Sequence, residues 1–260
     1  MKKRIILYIF TLLLVLAIAM TACGGASPQI KEIMDRGVLR VGVKVDVPLF
    51  GYLNPETNEM EGIEIDIARL IAKEILDDEN AVSFVNITAQ TRGPMLDNGE
   101  IDIVIATFTI TEERKESFNF SRPYFTDELG YLVLTGSPVN VPGDLKGKNI
   151  GVVQSSTAKA ALEEEIAHLG IDATIREYAS YPEVKGALAK GDVEAFVADK
   201  SILFGYLSDD SRLLDAGFNP QHYGIATKKG NDKLAARVDL IIEELENSGE
   251  LAALKEKWGL

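Results

Sequence analysis

Three observations predict an α/β fold built as two units. Apolar strand-like runs alternate with amphipathic helical runs along most of the chain. With 260 residues, the chain can support two core-bearing units of ordinary size. A short motif also recurs: Gly99-Glu100-Ile101-Asp102-Ile103-Val104-Ile105-Ala106 matches Gly191-Asp192-Val193-Glu194-Ala195-Phe196-Val197-Ala198 in residue class at every position. Both copies read as a strand entered from a Gly-acid turn, one running into Thr107 and the other into Asp199. In open α/β sheets ligands sit beyond the carboxyl ends of strands, so two such ends are expected to face each other across a cleft.

The elements follow in order. A short helical piece, Gln29–Asp35, precedes the strand Val38–Val43. The helix Asp66–Leu76 carries Ile67, Leu70, Ile71 and Ile75 on one face. Strand Val82–Ile87, helix Pro94–Asn98 and strand Ile101–Ala106 come next. Pro94 near the start of its helix and Gly99 just past its end follow the usual asymmetry of helix termini. Thr111 caps a further helix whose first turn holds Glu112 and Glu113. The second unit opens near Asn149 with strand Asn149–Val153, helix Thr157–Leu169 and strand Ala173–Tyr178. Helix Pro182–Ala189, strand Val193–Ala198 and a strand Tyr223–Thr227 complete the pattern, and the sheets are expected to be largely parallel.

Composition excludes several classes of function. Apolar residues make up 46% and charged residues 26%, with 22 Gly and 9 Pro, which argues against disorder and low complexity. The formal charge is -13, so a nucleic-acid partner is not expected. His168, His222 and Cys23 are the only histidines and cysteine, too few for a zinc, iron–sulfur or haem site or for an internal disulfide. Neither a metal nor an organic cofactor is expected. No nucleophile elbow, phosphate loop or dinucleotide fingerprint occurs, and no catalytic residue is identified. His168 reads as a solvated helix residue among Glu163, Glu164 and Glu165, and His222 as the residue before a strand.

The N-terminus predicts export. Lys2, Lys3 and Arg4 precede an apolar run, Ile5–Met20, shorter than the ~20 residues of a membrane span. Met20-Thr21-Ala22-Cys23 resembles a lipobox, which makes residues 1–22 a signal peptide and Cys23 the diacylated first residue of the mature chain. Residues 23–36 then serve as a lipid-anchored linker holding the protein at the membrane. Loss of Lys2, Lys3 and Arg4 leaves the mature body still more acidic.

Within so acidic a chain, three cations occupy special positions. Arg114 falls in the first turn of a helix following Ala106-Thr107-Phe108-Thr109-Ile110-Thr111, where helix N-terminus, hydroxyls and guanidinium all favour one carboxylate. Lys44 ends the first strand, and Arg92 lies in Gln90-Thr91-Arg92-Gly93-Pro94 at a helix start. On position alone, each also reads as an ordinary surface charge.

Leu39-Arg40-Val41-Gly42-Val43, Glu61-Gly62-Ile63-Glu64-Ile65-Asp66-Ile67-Ala68, Thr109-Ile110-Thr111-Glu112-Glu113-Arg114 and Phe120-Ser121-Arg122-Pro123-Tyr124-Phe125 stand in order along the chain. Together with Asp144-Leu145-Lys146-Gly147-Lys148-Asn149-Ile150-Gly151-Val152 they resemble the extracellular solute-binding proteins of polar amino-acid ABC importers. Thr91-Arg92-Gly93-Pro94-Met95-Leu96-Asp97-Asn98-Gly99 and Asp199-Lys200-Ser201-Ile202-Leu203 are similar to the aspartate/glutamate-binding branch.

The resemblance implies a two-lobe periplasmic-binding-protein fold of type II, the Venus-flytrap, with two crossover strands. Lobe 1 would span 37–130 plus 226–260 and lobe 2 would span 131–225, with crossovers near Gly130–Leu134 and Tyr223–Ala226. It implies a monomer that binds without catalysis and delivers an acidic amino acid to a membrane permease. Arg114 and Thr109 would take the α-carboxylate, Asp199 and Thr107 the α-ammonium, and Lys44, Arg92 and Tyr181 the side-chain carboxylate. Ser156 and Thr157 match hydroxyl positions at a lobe 2 helix start. Glutamine or another polar amino acid, or a dehydratase-like enzyme on the same fold, are the rival readings. Desolvating two carboxylates requires fixed donors for each, and glutamine would leave a cation of the distal pocket unpaired, which ranks acidic ligands above amides.

Overall fold

The computed structural model describes residues 28–260 as two large sheets joined by a pair of strands, with a third, small sheet beside the first. The predicted signal peptide and Cys23 lie outside the described residues. The first unit begins with α1 (Pro28–Arg36), β1 (Leu39–Val43) and a small three-stranded meander, β2 (Asp46–Val47), β3 (Gly51–Leu53) and β4 (Met60–Glu61). It continues through α2 (Ile63–Leu76), β5 (Val82–Asn86), α3 (Arg92–Asp97), β6 (Ile103–Val104), α4 (Glu112–Ser117) and β7 (Phe118–Phe120). The long strand β8 (Phe125–Leu134) leads to β9 (Asn149–Val153), α5 (Ala158–Leu169), β10 (Thr174–Tyr178) and α6 (Tyr181–Lys190). Then come β11 (Ala195–Asp199), α7 (Lys200–Gly205), β12 (Ser211–Leu213), β13 (Phe218–Tyr223), β14 (Ala226–Lys228), α8 (Asp232–Ser248) and α9 (Glu250–Trp258).

The first sheet has the order β5-β1-β6-β14-β7, and the second β10-β9-β11-β8-β12 with β13 also on β8. Strands β5, β1 and β6 are parallel, as are β10, β9 and β11, but β14, β7, β8, β12 and β13 pair antiparallel. The expectation of largely parallel sheets is therefore corrected. The physical reason is connectivity. Each parallel trio accepts, beside its third strand, one strand of the pair that links the units, and that strand arrives running the other way. The two chain segments run side by side from Ser121, whose N–H donates to Ile225 O at 2.9 Å, to Leu129 opposite Phe218. Gly130–Leu134 pairs with β11 and β12 inside the second sheet, so the crossing lies N-terminal of the expected segment.

The sequence repeat maps onto equivalent places. Val41 pairs with Ile103 and Gly42 with Val104; Ile150 pairs with Ala195 and Gly151 with Phe196. A Cβ on Gly42 would lie 2.6 Å from Ile101, and one on Gly151 would lie 3.3 Å from Val193, the corresponding repeat residue. Each glycine lets the repeat strand lie close to its partner. The two units are thus built on one plan, and Thr107 and Asp199 occupy matching strand ends.

Two boundaries differ from expectation for backbone reasons. Helix α2 starts at Ile63, earlier than the apolar spacing suggested, because Gly62 turns the chain at φ +125°. A Cβ there would sit 2.0 Å from the Phe50 carbonyl oxygen. Gly62→Ala is expected to cost about 2–4 kcal/mol in a denaturant melt, from backbone strain plus a contact that cannot relax. The predicted strand Tyr223–Thr227 is broken instead: β13 ends at Tyr223 and β14 begins at Ala226. Gly224 passes between them against Ile110, whose Cδ1 would meet a Cβ at 2.8 Å. His222 lies within β13, exposed, with Nδ1 3.1 Å from Thr126 Oγ1.

The core follows the periodicities. In α2, Ile63, Ile67, Ala68, Ile71 and Ala72 are buried on one face. In α8, Leu234, Val238, Ile241, Ile242 and Leu245 repeat that spacing. Strand β1, flanked on both sides by parallel strands, buries Leu39, Val41 and Val43 completely.

Candidate functional site

Strands β1, β5 and β6 of the first sheet and β9, β10 and β11 of the second lead into one narrow, largely enclosed cleft. Lys44, Arg92, Thr107, Thr109, Arg114, Ser156, Thr157, Tyr181 and Asp199 all line it, with Ala89, Ala158, Val197 and Ala198 between them. Every sequence-selected site residue among the described residues is thereby brought to one place. Neither His168 nor His222 reaches it.

Each side chain is set by the element that carries it. Lys44 follows β1 and is buried, with Nζ 3.3 Å from Asp46 Oδ1 and 5.1 Å from the Tyr181 ring centre. Arg92 is the first residue of α3; its Nη1 donates to Ala106 O at 3.2 Å, and its guanidinium lies 3.8 Å from the Phe108 ring centre. Arg114 sits in the first turn of α4, where its N–H donates to the capping Thr111 Oγ1 at 3.1 Å. Its guanidinium donates to Thr109 O at 2.7 Å and to Ser155 O at 3.5 Å, and lies 4.7 Å from the Phe108 ring centre. Neither arginine pairs with a carboxylate among the described residues.

Tyr181 opens α6 directly after the Ser180 cap. Ser156 Oγ donates to Val153 O at 2.6 Å, closing the turn before α5. Asp199 ends β11, and Tyr223 donates its hydroxyl proton to Asp199 Oδ2. Thr107 has φ +43°, a conformation uncommon for a residue with a Cβ.

Burial dominates the electrostatics. It pulls Arg92 down to about 9, helped by the nearby Arg114, and Arg114 down to about 10, opposed by Asp199. The same desolvation lowers Lys44 and pushes Asp199 up to about 7, against the pull of the Tyr223 hydrogen bond. The cavity thus contains two guanidinium groups with unused donors and one carboxylate with no buried cation bound to it.

Sequence reasoning passed over several residues behind this lining. Glu64 is fully buried; its Oε1 accepts from Thr107 N–H and from Tyr124 Oη, both at 2.5 Å, and Oε2 has no partner. Burial pushes its carboxyl up to about 7. Its signal was present, since Glu64 shares a helix face with Ala68 and Ile71. Gln221 is fully buried and accepts from Thr109 Oγ1 and Thr157 Oγ1, each at 2.7 Å. Strand alternation with buried Tyr223 marks it as inward-facing. Tyr206, whose hydroxyl donates to Asp46 O across the cleft, carried no local signal.

Known proteins share both the sequence and this architecture. The chain is 36% identical over 272 residues to the ABC transporter glutamine-binding protein GlnH of Bacillus subtilis, covering 99% of this chain and 97% of that one. The glutamate-binding protein GluB of Corynebacterium glutamicum is 27% identical over 252 residues, covering 91% and 84%. An ancestral arginine-binding protein bound to glutamine superposes with a TM-score of 0.77 at 32% identity, covering 86% of this chain and 98% of that chain. The two-lobe α/β fold is the one shared with that solved structure. Residues 39–260 match the corresponding family model over both sheets, and the chain belongs to the bacterial extracellular solute-binding proteins, family 3.

Proposed function

We propose that the chain captures an acidic amino acid, aspartate or glutamate, outside the cytoplasm and hands it to an ABC permease, anchored to the membrane through a lipid on Cys23. The observation that carries this reading is a pair of cleft arginines, Arg92 buried and Arg114 half-buried, without a carboxylate partner among the described residues. A buried guanidinium lacking a counter-ion is costly, and a ligand with two carboxylates relieves both. Arg114 takes the α-carboxylate; Arg92, with Lys44 and Tyr181, takes the distal one. Asp199 takes the ammonium. The hydrogen bonds and ring contact that already cross the cleft, Arg114 to Ser155, Tyr206 to Asp46 and Lys44 to Tyr181, support closure of lobe 2 (131–225) onto lobe 1 (37–130 plus 226–260) around the solute.

Glutamine is the second reading, and two observations favour it. GlnH carries that solute in its name. Lys44 already has Asp46 beside it, and Glu64 lies close enough to influence both Lys44 and Arg92, so the distal pocket is less positive than its lining suggests. Against it, an amide oxygen leaves the Arg92 charge uncompensated. Calorimetric titration of glutamate, aspartate and glutamine decides between them: the acids should bind more tightly, and a preference for glutamine overturns the acidic assignment.

A pH dependence follows from Asp199. The ligand ammonium needs the ionised carboxylate, whose affinity for a proton is raised by burial to about 7. Lowering the pH below that value makes the ligand compete with the proton. Affinity for every amino acid is expected to fall by up to about tenfold per pH unit between about pH 7 and pH 5. Titrations across that range test it, and flat affinity would remove Asp199 from the ammonium site.

A further inference from the structure

Gln221 sits on β13, in the strand pair that joins the two units, and its amide orientation is fixed. Nε2 donates to Asn219 O at 3.0 Å and to Asn219 Oδ1 at 2.6 Å, both of which can only accept. Oε1 therefore faces the other way, where Thr109 Oγ1 and Thr157 Oγ1 each approach to 2.7 Å. Oε1 can only accept, so each hydroxyl places its single proton there. The lone pairs of Thr157 are not drawn off by its own helix either. It stands at the N-cap of α5 yet makes no side-chain cap bond. Both threonines line the cavity, one from the segment after β6 and the other from the turn after β9.

With their protons committed, the two hydroxyls have only lone pairs to present to the cavity. Lone pairs attract an ammonium and repel a carboxylate oxygen. We infer that Gln221 is a positioning residue that fixes Thr109 and Thr157 as acceptors for the α-ammonium of the ligand, alongside Asp199. This reassigns Thr109, which the family resemblance puts on the α-carboxylate. It also makes the ammonium site span both units, because one carbonyl oxygen on the connecting strand gathers a hydroxyl from each. The inference rests on the reading of the cavity as an amino-acid site, but not on the acidic side chain.

The test compares glutamate with glutarate, the same molecule without its amino group, by calorimetric titration of the full-length chain. Wild-type protein should prefer glutamate strongly. Gln221→Leu frees both protons, and the glutamate-to-glutarate ratio should shrink by about tenfold or more, with the loss falling on glutamate. Gln221→Glu keeps an acceptor for both hydroxyls and should retain the preference. Thr157→Val covers the case in which Gln221→Leu does not fold: it should weaken glutamate several-fold and leave glutarate unchanged. Equal weakening of both ligands, or no change in the ratio, overturns the inference. Should the wild type prefer glutamine, the pair glutamine and glutaramate gives the same ratio, so failure of the acidic assignment is read separately from failure of this one.

Discussion

Replacing Arg114 with alanine should remove binding of every amino acid to a similar degree. Its backbone N–H is fixed by the Thr111 cap of α4 and its guanidinium by the Thr109 and Ser155 carbonyls, leaving further donors for the carboxylate common to all α-amino acids. Truncation leaves that ligand carboxylate desolvated without a partner, a penalty of about 3–5 kcal/mol. Affinity for glutamate, aspartate and glutamine should therefore fall roughly 10²–10⁴-fold in calorimetric titration. The ligand-free protein should not lose stability, because the substitution removes a partly buried charge that has no counter-ion. A thermal melt of the same sample checks this. A variant that melts normally and binds all three ligands at wild-type affinity would refute the assignment.

Arg92→Ala should act selectively. Arg92 is buried against Phe108 and its guanidinium makes one hydrogen bond among the described residues, to Ala106 O, which leaves donors for a ligand in the cleft. If that acceptor is the distal carboxylate, glutamate and aspartate should weaken by about 2–4 kcal/mol, or roughly 30- to 1000-fold. Glutamine should change by about tenfold at most, since it loses a neutral hydrogen-bond acceptor's partner rather than an ion pair. The gap between acid and amide then narrows or inverts. Parallel loss across all three ligands would instead place Arg92 at the group they share.

The residues that line the cavity were legible because each marks a strand end or a helix start. Lys44 ends an apolar alternation, Arg92 precedes Gly93-Pro94, Arg114 follows a Thr cap, and Asp199 closes a repeat strand. Those signals are local, set by residues within a turn or two. The partners of the lining were not legible in the same way. Thr109 reaches Gln221 across 112 positions and Thr107 reaches Glu64 across 43. Both partners were visible as polar residues on apolar faces, but no spacing rule says which group such a residue will meet. The strand break at Gly224 and the early start of α2 at Gly62 have the same origin, because each glycine is required by a neighbour distant in sequence.

By itself the sequence determined the alternation of strands and helices, the duplicated strand motif, and the cationic side chains within an acidic chain. Those are consequences of period, capping and composition, which act along the backbone. The tertiary structure alone decided that the sheets are mixed, that two arginines share one aromatic ring without a counter-ion, and that two cleft hydroxyls donate to one glutamine. Such choices depend on how the connecting strands insert between units, and insertion sets neighbours in space that order along the chain does not specify.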